Sequence, residues 1–176
     1  MINDDDNWEP DEDFHVQLKD PDTGDNLKGK DTRTRVTIID DDKPGQISFE
    51  EIKGHIKALA AEKNTTCEIV LIRKNGCDGL VEVGYKTFDL CNTSHSAQAD
   101  VDYVPKEGTV SFKHGVSKAS IEIEIIGKPN DEERDEQFGL KLTSIEPKGA
   151  KLSKKSQMTV SITTDAEGKK KQEALA

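Results

Sequence analysis

Apolar and polar residues alternate along most of this chain with a period of two. Lys118–Ile126 shows it most clearly: Ile121, Ile123 and Ile125 fall on one face, Glu122 and Glu124 on the other. Six further segments carry the same period. They are Gln46–Glu51 around Ile47 and Phe49, Thr66–Lys74 with Cys67, Ile69 and Leu71 on one face, Gly79–Phe88, Gly108–Lys113, Phe138–Ile145 and Gln157–Thr163. Turn residues separate them at Asn75-Gly76, Asp78-Gly79, His114-Gly115 and Lys148-Gly149. Seven short strands at this spacing predict an all-β sandwich. One segment breaks the period. Ile52, Ile56, Leu59 and Ala60 recur at i, i+4, i+7 and i+8 in an alanine-rich stretch, which predicts a short helix near 52–62, with Gly54 as its weak point.

The pattern also repeats. Asp11-Glu12-Asp13-Phe14-His15-Val16-Gln17-Leu18 aligns with Asp135-Glu136-Gln137-Phe138-Gly139-Leu140-Lys141-Leu142, an offset of 124 residues. The same offset sets Val36-Thr37-Ile38 on Val160-Ser161-Ile162 and Ile2 on Ile126. An ungapped offset held over this length marks an internal repeat. Residues 1–42 then read as the C-terminal strands of a first, truncated repeat, 43–45 as a short linker, 46–166 as a complete second repeat, and 167–176 as a charged, disordered tail.

Composition narrows the options. Of 176 residues only 32% are hydrophobic and 5% aromatic, which suits a thin sandwich better than a thick α/β core. No apolar run approaches the roughly 18 residues of a membrane span, so direct membrane insertion is not expected, and no secretory signal follows Met1. The net charge of −10 argues against nucleic acid as a partner. Cys67, Cys77 and Cys91 are odd in number and lack CxxC spacing. They form neither a disulfide framework nor a zinc site and read as reduced thiols of a cytosolic domain.

The charge is concentrated. Residues 1–42 hold fourteen acids against five bases, whereas the remainder holds 21 against 20. The acids fall mainly in two clumps, Asp4 to Asp13 and Asp40 to Asp42. The first clump leads into the strand beginning near Phe14, and the second directly follows the next strand. An antiparallel pair returns the end of its second strand to the level where the first began, so both clumps should meet at one edge. Crowded carboxylates of this kind suit Ca²⁺, which takes six to eight oxygen ligands. The spacing is not that of an EF-hand loop. At offset 124, Asp4 becomes Lys128, Asp5 becomes Pro129, Asp40 becomes Thr164 and Asp42 becomes Ala166. The second repeat should therefore bind Ca²⁺ weakly or not at all, with Asp100, Asp102 and the run Asp131–Glu136 left as a residual acidic patch.

These residues resemble the Calx-β domain, and more narrowly the tandem pair in the large cytosolic loop of Na⁺/Ca²⁺ exchangers. The run Asp4-Asp5-Asp6-x-x-Glu9-x-x-Glu12-x-Phe14 looks like the end of a first Calx-β domain. Val36-Thr37-Ile38-Ile39-Asp40-Asp41-Asp42-Lys43-Pro44-Gly45 looks like its last strand and linker, and Ile47-Ser48-Phe49-Glu50-Glu51 like the opening of the second domain. Asp100-Val101-Asp102-Tyr103 and Gly108-Thr109-Val110-Ser111-Phe112 match the middle strands. The resemblance implies a seven-stranded, antiparallel, immunoglobulin-like β-sandwich with Ca²⁺ sites in its distal loops. Carried over residue by residue, it implies Asp4, Asp5, Glu9, Glu12, Asp40, Asp41 and Asp42 as ligands, with Asn7 through its carbonyl. It further implies that the first domain senses Ca²⁺ and passes its state through the linker to a Ca²⁺-insensitive second domain. The partners would be the adjoining Calx-β domain and the transmembrane part of the same exchanger, at the cytoplasmic face of the plasma membrane.

Two other functions compete. Calx-β domains also occur in extracellular adhesion and matrix proteins, and Asn64-Thr65-Thr66 and Asn92-Thr93-Ser94 are sequons that would matter there. Three unpaired cysteines argue against that setting. An enzyme is not expected: His15, His55, His95 and His114 lie in four separate segments, and none adjoins a nucleophile motif such as GxSxG.

Overall fold

A computed structural model describes residues 1–51, 54–60, 63–91, 94–128 and 134–164. The segments 129–133 and 165–176, and with them much of the acidic run after Lys128 and the expected disordered tail, lie outside the described residues.

A two-stranded antiparallel sheet comes first, β1 (Glu12–Gln17) with β2 (Arg33–Ile38). Then follow β3 (Gln46–Phe49), β4 (His55–Ala60), β5 (Thr65–Lys74), β6 (Val81–Asp89), β7 (Glu107–Phe112), β8 (Lys118–Ile125), β9 (Asp135–Glu146), β10 (Lys151–Leu152) and β11 (Gln157–Thr164). They form a four-stranded sheet, β10-β3-β5-β8, and a five-stranded sheet, β4-β11-β9-β6-β7. The inward faces of the two sheets merge into one core. Ile47, Ile69, Leu71, Ile121 and Ile123 come from the first sheet, and Val83, Phe138, Leu140, Val160 and Ile162 from the second. Alternation decides this directly: in β8 the isoleucines are buried and the intervening glutamates exposed.

The sandwich is the expected one, with two departures. Where a helix was expected near 52–62, residues His55–Ala60 form β4, paired in parallel with β11 from His55↔Thr159 to Ala60↔Thr164. Ile52, Lys53, Ala61 and Glu62 lie outside the described residues. Ile56, Ala58 and Ala60 fit a period of two as well as a helix. A six-residue helix has too few internal bonds to stand alone, whereas the β11 ladder satisfies the same backbone groups. Gly54, at φ +71°, breaks any helix at its start and accepts the Thr159 N–H at 3.0 Å. The second departure is β10, a two-residue strand parallel to β3. Among the described residues the unit thus has nine strands in place of seven, and two of its strand pairings are parallel.

The internal repeat is visible in register. Glu12 pairs with Ile38, Phe14 with Val36 and Val16 with Thr34. Each partner set recurs 124 residues later: Glu136 with Ile162, Phe138 with Val160, Leu140 with Met158. The environments differ. Phe14 and Val16 are each 45% exposed, while Phe138 and Leu140 are fully buried.

The segment 43–45 is held against the turn between β5 and β6. Lys43 N–H donates to Asp78 Oδ2 at 2.9 Å, and its carbonyl accepts the Asp78 N–H at 3.0 Å. Gly76, at φ +138°, lies so close to Lys43 that a Cβ there would collide with its backbone. Beneath this contact, Arg73 takes an inward position of β5 and is only 4% exposed. Its guanidinium donates to the carbonyls of Pro44 (2.7 Å), Gly79 (3.1 Å) and Lys113 (3.3 Å), and also to Asp78. Replacing it strands several buried acceptors at once. Arg73→Met is expected to cost about 3 kcal/mol, read as a lower urea midpoint with an unchanged slope.

Candidate metal centre

Pairing of β1 with β2 sets the level of both acidic clumps. Glu12 opposes Ile38, so the chain before Glu12 and the chain after Ile38 leave the ladder at the same end. Most of residues 2–12 and all of 38–42 then line one groove of about 450 Å³. All eight residues singled out from the sequence border it: Asp4, Asp5, Asn7, Glu9, Glu12, Asp40, Asp41 and Asp42. Asn3, which the sequence reading passed over, adds an amide. Among the described residues no basic side chain lines the groove.

Backbone bonds tie the two clumps together. Glu9 N–H donates to Asp40 Oδ2 at 3.2 Å, and Asp40 N–H donates to Asp11 Oδ1 at 3.2 Å. Within the first clump, Asn7 N–H donates to Asp5 Oδ1 at 2.8 Å. The crowding has an electrostatic signature. Asp42 is pushed up to about 6, first by desolvation from the surrounding chain, then by the charges of Asp40, Asp78 and Asp41 and a hydrogen bond with Asp40. Asp78, from the β5–β6 turn, was not visible as a neighbour in the sequence, because only folding brings that turn beside 42–43.

The donor chemistry fits a hard divalent cation: oxygen ligands, in excess, with no competing ammonium. The side chains are spread around the groove, and among the described residues no three acidic, histidine or cysteine groups converge on a common metal position. Asp4, Asp5, Glu9, Glu12, Asp40, Asp41 and Asp42 are the groups able to hold such an ion, with Asn7 adding a carbonyl oxygen.

The first acidic clump also touches the sandwich. Trp8 packs over Gly149 so closely that a Cβ at that glycine would meet its ring. His114 accepts the Gly79 N–H through Nδ1 at 3.0 Å, which leaves Nε2 facing Asp6 Oδ2 at 3.9 Å.

The corresponding edge of the second repeat is built differently. Asp102, in the loop between β6 and β7, receives the Lys128 ammonium on Oδ1 and the Gln98 N–H on Oδ2 at 2.8 Å. Lys128 Nζ also lies 3.5 Å from Glu136. Arg134 Nη2 lies 3.2 Å from Glu136 and 3.5 Å from Asp102, and Nη1 donates to the Ile126 carbonyl at 2.7 Å. The Asp102 and Arg134 side chains are nearly fully buried. Burial pushes the Asp102 carboxyl up, but the Lys128 hydrogen bond, the Gln98 amide and the Lys128 charge outweigh it and hold it below the usual carboxylate range. The hydrogen bond to Asp102 likewise raises Lys128.

Comparison with known proteins places both edges in context. The family model of the Calx-beta domain matches residues 1–42 and 40–167. The chain belongs to the Calx-beta domain family. It is 31% identical to human extracellular matrix organizing protein FRAS1 over 166 residues, which is 92% of this chain and 4% of that protein. It is 28% identical to rat sodium/calcium exchanger 2 over 151 residues, 78% of this chain and 16% of that protein. This Calx-beta chain thus spans a small fraction of either relative. Among solved structures, the apo-form Calx CBD1 domain is 30% identical with a TM-score of 0.56, covering 68% of this chain and 96% of that one. The Calx CBD2 domain, at 16% identity and a TM-score of 0.59, shares the fold.

Because the Asp102 carboxyl is held down, its ionised form stabilises the Calx-beta fold. That contribution is present above the ordinary carboxylate pKa of about 3.9 and is lost as pH falls through the lower folded value. Asp102→Asn is expected to cost about 3 kcal/mol near neutrality, and its deficit relative to the parent should shrink as pH falls through the lowered folded value, as followed by urea unfolding across the acid range.

Proposed function

We propose that this chain is a regulatory Ca²⁺-sensing segment of a Na⁺/Ca²⁺ antiporter. In this reading residues 1–42 end a first Calx-β unit and residues 46–166 form a second, with Lys43-Pro44-Gly45 between them. Ca²⁺ is bound by the first and its state relayed to a Ca²⁺-insensitive second. The observation that carries the proposal is the single groove bordered by all eight oxygen donors from two distant stretches of chain. The exposed Phe14 and Val16 support the division: their counterparts Phe138 and Leu140 are core residues, so β1–β2 presents half of a sandwich interior.

The relay has a physical path. Asp42 borders the groove, and the next residue is clamped to Asp78 through both its N–H and its carbonyl. Arg73 anchors Pro44. On the other side Trp8, inside the first acidic clump, rests on Gly149. An ion that draws 40–42 toward 4–12 pulls on both attachments. Couplings of this type are worth about 1–3 kcal/mol. The segment would act at the cytoplasmic face of the plasma membrane within a larger membrane protein, with the adjoining Calx-β domain and the transmembrane part of that exchanger as partners. It would act by binding, without catalysis.

The match to FRAS1 over 92% of the chain favours a second reading, an extracellular matrix repeat. Against it stand Cys67, Cys77 and Cys91, all free. The Asn64 side chain also counts against it, since it donates to Glu124 at 2.8 Å and accepts the Gly127 N–H at 2.9 Å, leaving little room for a glycan.

Calorimetric Ca²⁺ titration tests the proposal. The chain alone is expected to bind weakly, and a chain carrying a complete first Calx-β unit at least about tenfold more tightly, or about 1.4 kcal/mol. Asp40→Asn, Asp41→Asn and Asp42→Asn together should abolish the heat in both. Binding that survives the triple variant would sink the assignment.

A further inference from the structure

The 124-residue offset, now seen in the pairing registers, places Lys128 and Glu136 where Asp4 and Glu12 border the groove of the first unit. At that first edge the described residues supply carboxylates and no cation. At the second, two carboxylates, Asp102 and Glu136, meet two cations of the chain itself, Lys128 and Arg134. Among the described residues the charges balance within the cluster. The groups come from three separate stretches: the loop before β7, the exit of β8 and the start of β9. The Ile126 N–H further ties the β8 exit to the Asp102 carbonyl at 3.0 Å. A divalent ion at such an edge would draw separate loops together through their carboxylates; here an ammonium and a guanidinium do so without a metal. The residues at this edge do not fit Ca²⁺, because the space between Asp102 and Glu136 is taken by Lys128 Nζ.

We propose that Lys128 is a covalently attached stand-in for the divalent cation, locking the second unit's loops in their joined arrangement at any Ca²⁺ concentration. This deepens the reading of the second unit as Ca²⁺-insensitive and gives that insensitivity a cause. The lysine does more than subtract a ligand: it completes the cluster. Removing it should therefore convert a constitutive lock into a cation-dependent one, with the buried Asp102 and the half-buried Glu136 left to share the single charge of Arg134.

The test is made in the full chain carrying Asp40→Asn, Asp41→Asn and Asp42→Asn, so that the first edge contributes nothing. Thermal unfolding is followed in EDTA and in millimolar Ca²⁺. With Lys128 present the midpoint should be the same in both. Lys128→Met should lower it by about 5 °C in EDTA and recover at least half of that loss in Ca²⁺, while Lys128→Arg should stay indifferent to Ca²⁺. If Lys128→Met does not fold in EDTA, folding on addition of Ca²⁺ supports the proposal, and failure to fold in both conditions overturns it. It is also overturned if Lys128→Met shows no Ca²⁺ response, or if the chain with Lys128 intact shows one. Loss of Ca²⁺ binding at the first edge would not alter this comparison, so the two readings fail separately.

Discussion

Repulsion among carboxylates that strand pairing forces into one place is the constraint on which this molecule turns. Like charges repel more strongly beside a protein surface than in bulk water. The β1–β2 ladder allows no escape, because the clumps flank its two strands at the same end. Such crowding is relieved by protonation, by solvent or by a cation. Desolvation and the charges of Asp40, Asp78 and Asp41 raise the Asp42 carboxyl to about 6, the direction that such crowding dictates.

The two units of the repeat meet this constraint in opposite ways. The first keeps its carboxylates, and among the described residues that line its groove there is no cation. The second brings a lysine and an arginine into the same rim and neutralises Asp102 and Glu136 from within. In the proposed reading, one unit responds to its ionic surroundings while the other keeps its shape. In that reading the lever is residues 43–45, whose backbone is fastened to the β5–β6 turn and to Arg73. The stiffness of the junction comes from backbone contact at Gly76 and from the buried guanidinium of Arg73, which no apolar side chain could replace.

Much of this was legible in the sequence, for identifiable reasons. Strands such as β8 announce themselves because a sheet with one buried face demands alternation, and Ile121, Ile123 and Ile125 supply it. The repeat was legible because Phe14 and Phe138 begin the same motif, and both edges of the candidate site followed from pairing alone. The rest depended on tertiary choices. The Ile56–Ala60 stretch suits a helix or a strand, and only the presence of β11 alongside decides. β10 is two residues long and has no pattern to read. Arg73 continues the inward alternation of Cys67, Ile69 and Leu71, but a charged residue near a strand end reads as solvent-facing until its carbonyl partners appear. Asp78 beside Asp42, and Asp102 beneath Lys128, are meetings between distant loops that carry no local signal.

The chain has a single tryptophan, and it sits inside the first acidic clump. Terbium, an oxygen-seeking ion excited by energy transfer from a nearby indole, therefore tests the central claim most directly. Trp8-sensitised terbium emission should appear on titration, be displaced by Ca²⁺, and vanish when Asp40→Asn and Asp41→Asn are introduced 32 or more residues away from the donor ring along the chain. Emission that persists in that double variant, or that Ca²⁺ does not displace, would contradict the account.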